Sequence, residues 1–117
     1  MIAAPTSGSG KTTIVCAILK ALQRKGLKLA AFKSGPDYID PMFHSKVIGT
    51  KSRNLDVFML GKDIVKFLLA KNSGDVDVSV LEGAMGFYDG MGKTSDASAY
   101  DLASTTSTPV VLVVNGR

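Results

Sequence analysis

Apolar and polar positions along the chain fall into an alternation of strands and helices. Met1 to Ala4 reads as the end of a short buried strand. From Thr12 to Lys25, Ile14, Ala17, Ile18 and Leu22 recur on one helical face, and Gly26 stops the run. Leu27 to Lys33 is a second strand, broken by Ser34-Gly35-Pro36-Asp37. Pro41 to Ile48 and Leu55 to Leu60 read as short helical pieces, and Asp63 to Asn72 as a clearer helix with Ile64, Phe67 and Leu68 inward. Val76 to Leu81 is a third strand followed by a glycine-rich loop. Asp96 to Ser104 reads as a helix, and Pro109 to Val114 as a strongly apolar, buried fourth strand. Strands separated by helices imply parallel pairing through crossovers, hence an open, doubly wound α/β sheet. Ligands in such sheets bind beyond the carboxyl ends of the strands.

Composition narrows the class without naming a function. At 117 residues there is room for one domain, and 45% hydrophobic with 21% charged residues describes an ordinary soluble globular chain. No apolar run approaches the roughly 18 residues that span a bilayer. The opening Met-Ile-Ala-Ala runs straight into Pro, Gly and Lys, unlike a signal or transit peptide. One cysteine excludes an internal disulfide framework and fits a reducing cytoplasm. Cys16 falls within the first helix, in a small buried apolar role. The net charge of +4 includes Lys20, Arg24, Lys25 and Lys28 around a helix end, where cations suit the dipole. The same charge would attract nucleotides or a polycarboxylate. The basic residues are scattered and lack aromatic interleaving, which argues against nucleic acid. Arg117 follows an apolar strand with no helix after it, so the chain is expected to be an N-terminal fragment.

The first strand leads into Ala4-Pro5-Thr6-Ser7-Gly8-Ser9-Gly10-Lys11-Thr12-Thr13. A strand, a glycine-rich turn and Gly-Lys-Thr opening a helix is the P-loop arrangement. Backbone N–H groups of Gly8, Ser9, Gly10 and Lys11 would cradle the β-phosphate at a helix N-terminus, with Ser7 beside them. Lys11 would reach the β and γ oxygens, Thr12 would offer its hydroxyl to Mg²⁺, and Thr13 could touch the α-phosphate. ATP is the nucleotide expected. The usual spacing asks for glycine where this chain has Pro5.

Two further loops are acidic. One is Lys33-Ser34-Gly35-Pro36-Asp37-Tyr38-Ile39-Asp40-Pro41-Met42-Phe43-His44, and the other is Glu82-Gly83-Ala84-Met85-Gly86-Phe87-Tyr88-Asp89-Gly90. A carboxylate at a strand end beside a P-loop is where Mg²⁺ or its water needs an oxygen, and Glu82 fits that role. Asp37 and Asp40 also suit plain turn chemistry beside Pro and Gly. His44 by itself reads as a surface helical residue. Tyr38, Phe43, Phe87 and Tyr88 also suit ordinary packing.

Together these strings resemble the cobyrinic acid a,c-diamide synthase family. The matching signatures are A-P-T-S-G-S-G-K-T-T, F-K-S-G-P-D-Y-I-D-P-x-x-H, R-N-L-D-x-x-M-L and E-G-x-M-G-x-Y-D-G, in order over residues 2 to 90, with P-V-V-L-V-V further on. A non-glycine residue at the Pro5 position is typical of that family. Asn115-Gly116-Arg117 departs from its usual Asp-Ala-Arg, and no role is given to Asn115.

The resemblance implies a P-loop NTPase-like fold similar to dethiobiotin synthetase, with residues 1–117 forming the N-terminal part of the ATP-binding domain. It implies ATP-dependent amidation of the a and c acetate carboxylates of a cobyrinic acid-type macrocycle, through an acyl phosphate, in cobalamin biosynthesis. Ammonia would come from glutamine on a C-terminal glutaminase-like domain that this chain lacks. The cofactors implied are ATP and Mg²⁺, with Thr12, Asp37 and Glu82 around the metal and Asp40 close by. Lys11, Lys33, Asp37, Asp40, Glu82 and Asp89 would serve catalysis, and Tyr38 and Ile39 would face the macrocycle. The division of carboxylates between metal and substrate stays open at this level, and a homodimer is allowed. Neither nucleic acid nor membrane is expected as a partner. Two other readings are a cobyric acid synthase-like amidotransferase and a ParA/MinD-like ATPase switch. The sibling synthase usually departs from G-P-D-Y-I-D-P, and the switch carries an early signature lysine where Pro5 and Thr6 stand here.

Overall fold

The computed structural model describes residues 1–90 and 94–116. Arg117, to which the expectation of a fragment was tied, lies outside them. Among the described residues one sheet contains β1 (Ile2–Ala3), β2 (Leu29–Ser34), β3 (Arg53–Leu55), β4 (Val78–Glu82) and β5 (Val111–Leu112). Its order is β3-β2-β4-β1-β5, and every pairing is parallel. The helices are α1 (Lys11–Arg24), α2 (Ile39–Ile48), α3 (Val57–Leu60), α4 (Lys62–Ser73) and α5 (Ala99–Thr106). The fold class is the expected α/β, P-loop NTPase-like parallel sheet.

Successive residues in a strand face opposite sides, so each strand feeds two cores. Ile2, Leu29, Ala31 and Val80 pack with Val15 and Leu19 of α1 and Ile48 of α2. Met1, Ala3, Phe32, Leu55 and Leu81 pack on the other face with Val65 of α4 and Leu102 and Ala103 of α5. Helices therefore cover both faces. Lys33 continues the Leu29–Ala31 side and Glu82 the Val80 side, and the two are register partners at the carboxyl ends of β2 and β4. Both point toward α1 and α2.

Several expectations are corrected here. β3 was not foreseen, because three residues contain too little of a two-residue period to stand out. It takes Leu55 from the expected Leu55–Leu60 helix, which begins instead at Val57, where Asp56 accepts the Phe58 and Met59 N–H groups. In α1 the face against the sheet is Val15 and Leu19, with Ile18 and Leu22 half-buried, while Ile14 and Ala17 are exposed. In α4, Val65 is buried and Leu68 half-buried, while Ile64 and Phe67 are exposed. Both helices carry apolar residues around more than one side, so spacing alone did not choose the inward face. Only Val111–Leu112 of the fourth expected strand forms a ladder. Both side chains are exposed on this edge strand, unlike Leu55 of β3 at the opposite edge.

Candidate functional site

The loop from Ala4 to Gly10 leaves β1 and turns directly into α1. Gly8 and Gly10 adopt φ of 75° and 82°, a left-handed conformation that glycine takes without steric cost. A Cβ at either position would meet open space, so the constraint there is backbone conformation and not crowding. Gly10 is the N-cap of α1, with no side-chain cap, which leaves the first helical N–H groups for a ligand. The orientation suits phosphate.

Ser7, Gly8, Gly10, Lys11, Thr12 and Thr13 line a cleft of about 310 Å³, faced by Lys33, Asp37 and Asp40 and by Ala84 and Met85 of the third loop. Of the anticipated phosphate-loop residues, Ser9 is not in that lining; its hydroxyl donates to the Thr6 carbonyl at 3.0 Å. Lys11 is largely buried, and its Nζ donates to the Met85 carbonyl oxygen at 3.0 Å. Burial lowers its pKa, the Lys33 charge adds to this, and Glu82 and Asp40 oppose it.

Beneath the cleft lies a charged cluster. Lys33, 3% exposed, donates to Asp40 Oδ2 and Glu82 Oε2, both at 2.6 Å, and to the Gly83 carbonyl at 3.1 Å. Asp37 Oδ2 stands 3.8 Å from the same ammonium. Burial works to lower the Lys33 pKa, but hydrogen bonds to Asp40 and Glu82 and their charges outweigh it and raise it. Asp40 shows the mirror effect. Burial pushes its carboxyl up, yet hydrogen bonding with Glu82 and Lys33, the Lys33 charge and Thr12 bring it down to about 2. Glu82 is fully buried, and Thr12 Oγ1 donates to its Oε2 at 3.1 Å.

The acidic loop is shaped by its own bonds. Asp37 Oδ1 accepts the N–H groups of Ile39 at 2.8 Å and Asp40 at 3.3 Å, so Asp37 opens α2 while facing the cleft. α2 starts at Ile39, two residues before the expected Pro41; proline is tolerated in a first turn, whose N–H groups lack helical partners. Asn54 of β3 donates to the carbonyls of Gly35 at 2.7 Å and Asp37 at 2.6 Å, tying the loop to the sheet.

Not every anticipated residue joins the cleft. Tyr38 and Ile39 are 78% and 66% exposed and point outward, beside exposed Met42 and Phe43. Asp89 turns back on its own loop, accepting the Gly86 N–H at 2.9 Å. Gly86 is required there, since a Cβ would collide with the Pro5 carbonyl oxygen. Phe87, Tyr88 and Tyr100 form an aromatic group, with Phe87 and Tyr88 centroids 4.9 Å apart. Cys16 is half-buried within α1, and burial, then the Glu82 and Asp40 charges, push its thiol up.

His44 is the clearest correction. It is fully buried, with Nδ1 3.0 Å from Ser52 Oγ and Nε2 3.1 Å from Glu82 Oε1, and is not a surface residue. α2 packs on β2 with this side inward, and no local pattern announces that. The available signal was its place at the end of G-P-D-Y-I-D-P-x-x-H. Asn54, within R-N-L-D, was missed for a related reason: its importance lies in pairing across β2 and β3.

The oxygen donors lining the cleft are hard: the Thr12 hydroxyl and the carboxylates of Asp37 and Asp40, with Glu82 fully buried beneath them behind Thr12 and outside the lining. Among the described residues, no three His, Cys, Asp or Glu side chains form a metal cage. Mg²⁺ is commonly held by one or two carboxylates together with phosphate oxygens and water, so this donor set fits a cation that arrives with a nucleotide. Also among the described residues, no helix is long and apolar enough to cross a membrane.

The family model for the CobQ/CobB/MinD/ParA nucleotide binding domain matches residues 1–108. A cobyrinate a,c-diamide synthase of Thermoplasma volcanium is 48% identical over 116 residues, covering 99% of this chain and 26% of that protein. The protein of the same name from Clostridium acetobutylicum is 47% identical over 117 residues, covering 100% and 26%. That from Saccharolobus solfataricus is 45% identical over 115 residues, covering 98% and 26%. The chain thus spans about a quarter of the length of the curated relatives it matches.

Proposed function

Because the chain belongs to the CobQ/CobB/MinD/ParA nucleotide binding domain family, we propose that it is the nucleotide-binding part of an ATP-dependent amidating ligase. The substrate is a cobyrinic acid-type macrocycle, amidated at its a and c acetate carboxylates in cobalamin biosynthesis. The observation that carries this reading is the meeting of three loops at one cleft. Thr12 of the phosphate loop, Lys33 and Asp40 of the second loop and Glu82 of the third are joined by hydrogen bonds. The names of the relatives support the choice of substrate.

The chemistry follows from the leaving group. A carboxylate resists ammonia because oxide is a poor leaving group. An oxygen of the substrate carboxylate bonds to the γ-phosphorus of ATP as the bond to the β,γ-bridging oxygen breaks, and ADP departs. Ammonia, released from glutamine on a glutaminase-like domain, then attacks the acyl carbon, loses a proton and expels phosphate. Such phosphoryl transfer asks for positioning and charge neutralisation. Backbone N–H groups from Gly8 to Lys11 hold the phosphates, with Ser7 and Thr13 at the edges of the same loop. Lys11 supplies the cation at the β and γ oxygens. Thr12, Asp37 and Glu82 would be the protein-side oxygens for Mg²⁺, which would supply further neutralising charge. Lys33 keeps Asp40 and Glu82 together so that the carboxylates do not repel one another. Tyr38 and Ile39 offer an apolar wall to the macrocycle, and Asp89 serves from the third loop by holding its shape through the Gly86 N–H.

The test is incubation of the intact protein with the macrocycle, ATP and glutamine, read by mass spectrometry. Two successive exchanges of carboxylate for amide, each with one ADP and one phosphate, are expected. ATP turnover that ignores the macrocycle and forms no amide would overturn the reading in favour of a switch.

A further inference from the structure

We infer that His44 is a positioning residue that aims the Glu82 carboxylate at the phosphate loop; this rests on the role proposed above for Glu82. The imidazole has no access to water, and each ring nitrogen has one partner: Ser52 Oγ at Nδ1 and Glu82 Oε1 at Nε2. A buried polar ring left unpartnered would be costly, so both contacts matter to its placement. Glu82 meets the Lys33 ammonium through its other oxygen, Oε2, at 2.6 Å. In the positioning role Nε2 carries the hydrogen and donates it to Oε1. Ser52 can satisfy Nδ1 in either tautomeric arrangement, since its hydroxyl also lies 3.1 Å from the Ala31 carbonyl, to which it can donate.

The anchor is itself fixed. Ser52 immediately precedes β3, whose register against β2 pairs Phe32 with Arg53. The Ser52 N–H donates to Ser45 Oγ at 2.8 Å, and that hydroxyl donates to the Pro41 carbonyl at 2.7 Å. The sheet thus holds Ser52, Ser52 holds the ring, and the ring holds Oε1. With Oε1 committed, Oε2 faces Thr12 and Lys33. Without the Nε2 donor, Oε1 sits unpaired away from water. The carboxylate then turns to share its partners, and the Thr12 hydroxyl loses its alignment.

Packing alone would ask for a ring-sized group; positioning asks for a donor at Nε2. Glutamine can present an amide N–H near Nε2, whereas asparagine reaches only the Nδ1 position. In the intact protein, His44→Asn is expected to weaken Mg²⁺-dependent ATP affinity by about 10–100-fold, the range for partners that orient metal ligands. ATP affinity in excess chelator stays unchanged, and His44→Gln restores most of the loss. In the metal-free protein, ring-nitrogen NMR should show a hydrogen on Nε2, and a bare Nε2 overturns the inference. Equal loss in both variants, or loss in neither, also overturns it. Should His44→Asn fail to fold, Ser52→Ala decides: weakened Mg²⁺-dependent affinity supports the anchor, and unchanged affinity refutes it. Glu82→Gln separates the two levels. If it leaves Mg²⁺ dependence intact, the reading of Glu82 fails and the inference with it. If it abolishes that dependence while His44→Asn does nothing, only the inference fails.

Discussion

Thr12 Oγ1 donates to Glu82 Oε2 at 3.1 Å, linking the first turn of α1 to the last residue of β4 across 70 positions of sequence. A hydroxyl can donate to this carboxylate and still offer a lone pair to a cation. Thr12→Val keeps the shape and removes both capacities. It should lower Mg²⁺–ATP affinity by about 10–100-fold, while Thr12→Ser retains it. Titration calorimetry of the two variants in the intact protein decides; equal binding by valine and serine would count against any role at the metal.

Lys11 supplies one charge to a phosphate loop whose other donors are largely backbone N–H groups. A hydrogen bond to a charged group is worth about 1.5–3 kcal/mol, so Lys11→Ala should weaken ATP binding by roughly 10–100-fold. The fold should survive, because among the described residues the Lys11 side chain bonds the Met85 carbonyl at the cleft and no group of the two cores. Circular dichroism would verify the fold, and unchanged nucleotide affinity would sink the P-loop reading.

The charged cluster predicts how stability varies with pH. Asp40 is held at about 2, below its ordinary 3.8. Its contribution is therefore present above 3.8 and is lost as pH falls through about 2. The Lys33 pKa is raised, so its contribution is complete below 10.5 and is lost as pH climbs through the higher folded-state value. Urea midpoints measured between these limits should show a plateau with two falling limbs. Asp40→Asn should flatten the acid limb; an acid limb identical to wild type would refute the assignment.

Inward and outward faces make a fourth expectation. Leu19→Ala removes a fully buried side chain and should cost about 2–5 kcal/mol. Phe67→Ala, at a position 63% exposed, should stay within about 0.5–1 kcal/mol. Unfolding curves that ranked these two the other way would mean that α1 or α4 is rotated.

The alternation of elements was legible because strand and helix periods differ strongly over ten or more residues. The phosphate loop was legible because its chemistry is local: Gly8, Gly10, Lys11 and Thr12 lie within five residues. Tertiary facts were hidden. Ile14 and Phe67 are apolar and correctly spaced, yet exposed, since Val15 and Val65 compete for the same inward direction. β3 exists only as a partner of β2. His44 looked ordinary because its partners, Ser52 and Glu82, lie 8 and 38 residues away.

The register pairing of Lys33 with Glu82 acts on the folding chain before any ligand arrives. A slip of one residue between β2 and β4 would send one of the two side chains to the opposite face, among Phe32, Leu81 and Leu102. The Lys33–Glu82 pair would then be broken and the misplaced charge buried among apolar groups, at a cost of several kcal/mol. A slip of two keeps the face but separates the groups by roughly 7 Å of strand rise. The charges that serve the cleft are thus also a checksum on strand pairing, and a chain that zips β2 to β4 wrongly is penalised by electrostatics at once.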